Sequence, residues 1–352
     1  MIALPPRYQT VKTLPGGGMS DTLLCYDQHL QRNVVFKSLK FGVSQKRILD
    51  ELSALSSIRS DYVVQVLDVI RSPTGDVIGF IEEFIDGSEI DHANFSGIDQ
   101  VLKFLYAVAS GVHDIHRQGR VHRDLKPDNM KIDQDGILKI FDFGLAKTHD
   151  DKGTKQFYYT AGFTAPEAFK KNPTGLHEFS KEIDVFAFGA IALWVLNGGA
   201  IPACMYDCPA TVPIPPLTFT GLKIEPPGTV SPVLAAALAI TPGDRPSMQD
   251  VCTVLRNELL RDTHRMLLTN GGNTYLLDRS NRSTRISSGS SFVEIAYDGV
   301  HFTITGVGGS VEINNMAPRV GATINGSVVI VLAEQHRRVF VTADVSHPEA
   351  PK

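Results

Sequence analysis

Tryptophan occurs once and cysteine four times in 352 residues. Thiols so sparse, at Cys25, Cys204, Cys208 and Cys252, make no disulfide framework in a chain of this size. Cys204 and Cys208 have no second Cys or His pair near them in sequence to complete a zinc site, so unpaired structural thiols are the reading. Excess charge of either sign is also missing. The formal net charge is −4, which implies no pull toward nucleic acid or an anionic membrane surface. Long hydrophobic runs are absent too: residues 185–196 are apolar, but the stretch is interrupted by Gly189 and falls short of the roughly 20 residues of a membrane span. Residues 1–7 lack the basic-then-apolar design of a signal peptide. The expectation is a soluble, cytoplasmic protein. With 43% hydrophobic and 20% charged residues, it has the composition of a globular chain of two or three domains.

What is present is concentrated in one stretch, Val121-His122-Arg123-Asp124-Leu125-Lys126-Pro127-Asp128-Asn129, with Asp142-Phe143-Gly144 shortly after it. Between them, residues 130–132 and 137–140 are short apolar-alternating runs joined by Asp133-Gln134-Asp135-Gly136, a turn-forming cluster. The pattern predicts a β-hairpin. Paired strands lie about 4.8 Å apart, so Asn129 before the first strand and Asp142 after the second should emerge side by side. An amide oxygen and a carboxylate together, with Asp124 on the same loop, suit Mg²⁺, which takes one or two protein oxygens alongside waters and nucleotide phosphates.

The stretch from His122 to Asn129, with Asp142-Phe143-Gly144, resembles the catalytic and metal-binding loops of eukaryotic-type (Hanks-type) serine/threonine protein kinases of bacterial kind. The likeness covers roughly residues 8 to 260. It implies an α+β, two-lobed protein kinase fold over residues 8–262, with a small antiparallel β lobe to about residue 85 and a larger helical lobe from about residue 88. It also implies that Asp124 takes the proton of a substrate hydroxyl, that Asn129 and Asp142 hold Mg²⁺ with ATP, and that Lys126 steadies the transferred phosphoryl group. The partners implied are ATP and proteins phosphorylated on Ser or Thr.

Taken in order, residues 13–21 (Thr-Leu-Pro-Gly-Gly-Gly-Met-Ser-Asp) read as a glycine-rich hairpin whose backbone N–H groups at Gly16, Gly17 and Gly18 can approach phosphates. Pro15 and Ser20 stand where the family carries its first and third glycines, which weakens that grip. In Val34-Val35-Phe36-Lys37-Ser38-Leu39, alternation puts Lys37 on the inward face with Val35 and Leu39. An ammonium there needs an anionic partner. The next helix offers Glu51 beside its apolar stripe of Ile48, Leu52 and Leu55, and Lys37 with Glu51 matches the family's Lys–Glu pair that positions the α/β-phosphates.

Residues 62–69 and 77–84 complete the small sheet. Residues 83–87, Glu-Phe-Ile-Asp-Gly, resemble the hinge where backbone groups meet adenine, beginning at Glu83. That alignment leaves Glu82 at a position the family fills with an apolar or hydroxyl residue. Either the register slips by one, or a carboxylate lines the back of the adenine pocket and requires a hydrogen-bond partner there.

Apolar residues Val101, Leu102, Leu105, Val108, Val112 and Ile115 recur at helical spacing over residues 98–117. Beyond Gly144 the chain is rich in hydroxyls and ends in Thr160-Ala161-Gly162-Phe163-Thr164-Ala165-Pro166-Glu167, similar to the close of a kinase activation segment. By the same resemblance Thr160 bonds the catalytic aspartate and lysine, and Lys126 marks the Ser/Thr rather than the tyrosine class. Thr154, Tyr158, Tyr159 and Thr160 are candidate regulatory hydroxyls, with Arg123 as a guanidinium partner for a phosphate. Asp184, opening the apolar run, can cap N–H groups and anchor a loop, and the resemblance implies that it tethers the catalytic loop. Arg245 matches the arginine that pairs with Glu167. Residues 200–231 are rich in Pro and Gly and read as an irregular loop, and a helix over roughly 247–262 closes the lobe.

From residue 265 to 352 the helical period disappears. Short strands at 291–297, 301–305, 310–313, 327–332 and 339–342, separated by Gly, Asn and Asp, predict a small all-β sandwich domain. Residues 321–332 faintly resemble the closing strands of forkhead-associated (FHA) domains, which implies a phosphopeptide or protein partner for this domain. The phosphate-binding features of that family are not evident, and Arg279, Arg282 and Arg285 read as a solvated basic loop or an anion site.

Three functions stay open at this point. One is an active Ser/Thr kinase that also phosphorylates itself. Another is a pseudokinase or scaffold that binds nucleotide and recognises partners through its β domain, favoured by Pro15, Ser20 and Glu82. The third is a small-molecule phosphotransferase of the same fold, disfavoured by Ala165-Pro166-Glu167 and Arg245. The intact set of Lys37, Glu51, Asp124, Asn129 and Asp142 favours the first.

Overall fold

Alternating apolar and polar residues in the first part of the chain build a five-stranded antiparallel sheet, seen in a computed structural model that describes residues 4–14, 22–38, 52, 56–142, 159–177, 179–207, 219–334 and 337–346. Its strands are β1 (Tyr8–Leu14), β2 (Thr22–Asp27), β3 (Arg32–Ser38), β4 (Val66–Arg71) and β5 (Val77–Glu83), in the order β1-β2-β3-β5-β4. One face buries Tyr8, Cys25, Val34, Phe36, Ile70 and Ile81 together. The period of two then turns Val35, Lys37, Phe80 and Glu82 toward the other face, because Val35 lies opposite Glu82 and Lys37 opposite Phe80. Gly79 is required by packing, since a Cβ there would run into the Phe36 ring. At the far end, Arg7 forks onto Asp27 with Nε and Nη2 at 2.9 and 2.7 Å, and this holds the Asp27 carboxyl below the usual carboxylate range.

β4 starts later than its apolar run suggests. Residues 62–64 leave the sheet and bond elsewhere: Val64 N–H donates to Ile140 O at 2.9 Å, and Ile140 N–H to Tyr62 O at 2.8 Å. β-branched residues favour extended backbone wherever it finds a ladder, and here Val63 and Val64 pack with Ile58, Ile85 and Ile115. The run thus stitches the small sheet's connection to the helical region that follows.

That region holds α1 (Ile98–Arg117), then a three-stranded sheet of β6 (Gly87–Glu89), β7 (Met130–Asp133) and β8 (Leu138–Ile140), then α2 (Glu182–Leu196), α3 (Ser231–Ala237) and α4 (Met248–Leu259). α1 buries Val101, Leu102, Leu105, Val108, Val112 and Ile115 along one stripe. α2 is apolar on every side and is accordingly buried along nearly its whole length.

The chain divides into two compact units, Met1–Leu255 and Arg256–Pro351. The second is all β: one sheet runs β10-β9-β17-β16-β14 and the other β11-β12-β13-β15. Its strands are β9 (Met266–Asn270), β10 (Asn273–Leu277), β11 (Ser283–Ser288), β12 (Ser291–Tyr297), β13 (Phe302–Gly308), β14 (Ser310–Ile313), β15 (Thr323–Ile324), β16 (Val328–Glu334) and β17 (Arg337–Val345). Leu268, Val293, Ile295, Phe302, Ile330 and Val341 fill the space between the sheets. The first hairpin of this unit is a strand pair that alternation alone did not reveal. It is written in Asn270-Gly271-Gly272-Asn273, whose two glycines adopt φ of 51° and 105°, the positive values a two-residue hairpin turn needs. The stretch expected to be a basic loop is in part a strand: Arg285 lies on β11 and binds Glu294 at 3.0 Å while stacking on Phe292, and Arg282, just before it, binds Asp262 at 2.7 Å. Two of its three guanidiniums therefore serve carboxylates of this unit.

Candidate active site

The loop between α1 and β7 is fastened from below by one buried carboxylate. Asp184, 1% exposed on α2, accepts the backbone N–H of His122 at 2.7 Å and of Arg123 at 2.9 Å, and lies 2.9 Å from His116 Nε2. Burial would push the Asp184 carboxyl up, but the His116 contact and these N–H donors win and hold it below its ordinary value. The tether also accounts for Arg123 at φ 75°, a left-handed backbone that a non-glycine residue adopts only when its surroundings impose it. His122 Nε2 meets Phe141 O at 3.1 Å, which ties the loop to the strand leading to Asp142.

Above this tether, four side chains converge. Thr160 Oγ1 donates to Asp124 Oδ1 at 2.8 Å and accepts from Lys126 Nζ at 3.0 Å. Lys126 Nζ also lies 3.0 Å from Asp124 Oδ2. Asn129 Nδ2 donates to Asp124 O at 2.7 Å and to its Oδ2 at 3.1 Å. Burial opposes the charge on Asp124, yet the Lys126 ammonium and the Thr160 hydroxyl outweigh it, and the carboxyl sits below its ordinary value. It is ionised at neutral pH.

The hairpin closes as its turn chemistry predicts, and Phe141 N–H donates to Asn129 O at 3.0 Å. This bond keeps Asn129 and Asp142 at neighbouring chain ends. With Nδ2 committed to Asp124, the amide oxygen of Asn129 is its remaining polar atom. An amide oxygen and a carboxylate are the donors that Mg²⁺ combines with waters and phosphates, so the residues present fit that ion. Asp142 has φ 59°, again a left-handed backbone at the site.

Lys37 reaches this group from β3. Its Nζ is 3.4 Å from Asp142 Oδ1 and 2.9 Å from Glu82 Oε1. Burial alone would lower the Lys37 ammonium, but the carboxylates of Glu82 and Asp142 keep it above its ordinary value. The register of β5 does not slip: Glu82 lies opposite Val35 and faces inward, and its partner is Lys37. Sequence reasoning missed this pair, although alternation along β3 and β5 carried the signal. Glu83, at the head of the hinge-like segment, sends its carboxylate to Lys139 at 3.2 Å and its N–H to Gln65 O at 2.9 Å.

Further along, Arg245 has a fully buried side chain and grips Glu167 with both terminal nitrogens, while its Nε donates to Ala239 O at 2.8 Å. Tyr159 is 51% exposed and edges against Phe169. Gly16, Gly17, Gly18, Glu51, Phe143, Gly144, Thr154 and Tyr158 lie outside the described residues.

Comparison with known proteins places this geometry in a family. The model of the protein kinase domain matches residues 8–205. The chain is 30% identical over 214 residues to a probable serine/threonine-protein kinase, pknA2, of Bifidobacterium longum, covering 56% of this chain and 27% of that protein. To the megakaryocyte-associated tyrosine-protein kinase of Rattus norvegicus it is 27% identical over 241 residues, covering 66% and 50%. To mitogen-activated protein kinase 14 of Xenopus laevis it is 28% identical over 210 residues, 55% of each. The chain thus spans between 27% and 55% of the length of these relatives. With more than half of its residues matched by the family model, this chain belongs to the protein kinase family.

Proposed function

We propose that the chain is a serine/threonine protein kinase that transfers the γ-phosphoryl group of MgATP to protein hydroxyls, its own among them. The observation that carries this reading is the closed network of Asp124, Lys126, Asn129 and Thr160. Asp124 is anionic and orientated, and it takes the proton as the substrate oxygen forms its bond to phosphorus and the bond to the bridging oxygen of the nucleotide breaks. Lys126, two residues on, offers its ammonium to the charge of the transferring group. Lys37 offers its own to the α/β-phosphates. Asn129 and Asp142 would hold Mg²⁺, which neutralises phosphate charge when bound. Gly16, Gly17 and Gly18 are proposed to cover the phosphates, and the backbone at Glu83 to meet the base.

Lys126 and Thr160 favour Ser/Thr over tyrosine specificity, and the pknA2 kinase named above points the same way. Thr160 is engaged on both sides of its hydroxyl, so it belongs to the catalytic network. Thr154, Tyr158 and Tyr159 remain the candidates for regulatory modification.

The test is incubation of the purified chain with Mg²⁺ and labelled ATP, beside Asp124→Asn and Lys37→Met, followed by mapping of the phosphorylated residues. Label on Ser or Thr that disappears in both variants supports the reading. Label confined to tyrosine overturns the specificity. Nucleotide binding with no transfer to any substrate moves the protein to the scaffold reading.

A further inference from the structure

The buried carboxylate of Glu82 is not accounted for by the chemistry above, and it sits against the lysine that reaches into the site from the sheet. Glu82 is 7% exposed, Lys37's side chain is 14% exposed, and the Nζ–Oε1 distance is 2.9 Å. β3 and β5 are hydrogen-bonded neighbours in which Lys37 faces Phe80 and Val35 faces Glu82. The two charges are therefore diagonal neighbours on one sheet face, a separation that long side chains span. Both Cα positions are set by the same backbone ladder.

We propose that Glu82 is the residue that positions Lys37 for nucleotide, so that the lysine is held from within the sheet itself. This inference rests on the kinase reading of the site. A carboxylate this deep is costly to ionise alone, and an ammonium beside it relieves that cost, so each fixes the other. Lys37 has a second carboxylate nearby, Asp142, at 3.4 Å. Without Glu82, that residue is the remaining described carboxylate within 4 Å of Nζ. Among the described residues the ammonium would then be drawn to Asp142, the group needed for the cation that accompanies the nucleotide phosphates. Glu82 acts through Lys37 as a positioning residue: it holds the ammonium between the sheet and the phosphates and limits its hold on Asp142.

The test uses the full chain with MgATP, Glu82→Gln and Glu82→Asp, the helix variant Glu51→Gln, the single variant Lys37→Met, and the double variant Glu82→Gln/Lys37→Met. Nucleotide affinity is measured by calorimetry, transfer by label, and folding by thermal melting. Loss of a charge-assisted contact of this kind corresponds to about a tenfold change. Glu82→Gln is expected to weaken MgATP affinity and kcat/KM for ATP about tenfold while KM for the protein substrate stays unchanged. Glu82→Asp should recover part of the loss, and adding Glu82→Gln to Lys37→Met should cost nothing further. Equal losses of affinity from Glu82→Gln in the wild-type chain and in the Lys37→Met variant would overturn the proposal, as would full activity in Glu82→Gln with the loss appearing in Glu51→Gln. Should the wild-type chain transfer no phosphate, the kinase reading fails by itself. The coupling between Glu82 and Lys37 in nucleotide affinity is then still read by calorimetry, and its absence there also overturns the proposal.

Discussion

Thr160 and Asp124, far apart in the sequence, share a hydrogen bond of 2.8 Å in which the threonine hydroxyl donates to the carboxylate. The same hydroxyl accepts from Lys126 at 3.0 Å, and Lys126 Nζ lies 3.0 Å from the other carboxylate oxygen, Oδ2, so the three side chains close a ring. One hydroxyl thereby orients both charged side chains, which also meet directly.

Removing that hydroxyl should lower turnover without unfolding the chain. Thr160→Ala is expected to reduce kcat about tenfold, the scale of one hydrogen bond to a charged group, with Thr160→Ser recovering most of it. Steady-state kinetics on both variants check this, and an unaltered kcat in Thr160→Ala would show that the bond has no part in turnover.

Asp184 should matter chiefly for stability of the loop. Asp184→Ala removes the acceptor for two backbone N–H groups and the partner of His116 in a buried setting. The expected cost is about 3 kcal/mol, read from urea denaturation, with loss of phosphoryl transfer as the loop loses its tether.

The same aspartate predicts a pH dependence. Its folded pKa lies below the ordinary 3.8. A carboxylate depressed by folding contributes stability that is present above its unfolded value and is lost as pH falls through the folded one. Asp124, also depressed, acts in the same direction. Stability should therefore decline in acid, below about pH 4, and Asp184→Asn should show a shallower decline than wild type when denaturation midpoints are compared from about pH 6 to pH 3.

Arg245 offers a geometric test. Its guanidinium bonds Glu167 with two nitrogens and the carbonyls of Ala239 and Glu182 besides. Lysine has the charge and not the planar fork. Arg245→Lys should cost about 2 to 3 kcal/mol in thermal or chemical unfolding, close to what Arg245→Ala costs, if geometry and not charge decides. A lysine variant as stable as wild type would assign the contact to charge alone.

Much of this protein was readable without coordinates, for a local reason. Helix α1 follows from the spacing of Val101 to Ile115, and the hairpin after Asn129 from Asp135-Gly136, because each depends on residues close in sequence. The strands of the second unit were legible where side chains alternate cleanly, as in Ser291–Tyr297, and were missed at Met266–Leu277, where Gly271-Gly272 was the stronger signal, and at Ser283–Ser288, which read as part of a basic loop. Residues 62–64 carried the right propensity but not its destination, since an extended segment does not encode which neighbour supplies its hydrogen bonds.

The sequence by itself determined the chemical inventory: which acids, amides and cations stand near one another along the catalytic loop, and that Lys37 must face inward and find an anion. Only the tertiary structure brought Glu82 to it, beside Asp142, while Glu51 lies outside the described residues. Glu82 follows Lys37 by 45 positions in sequence, yet it lies one strand away, because β5 and not β4 pairs with β3. Strand order is settled by how the whole sheet buries its two faces. For the same reason Thr160 and Asp184 reach a loop that precedes them both, through packing that no local pattern records.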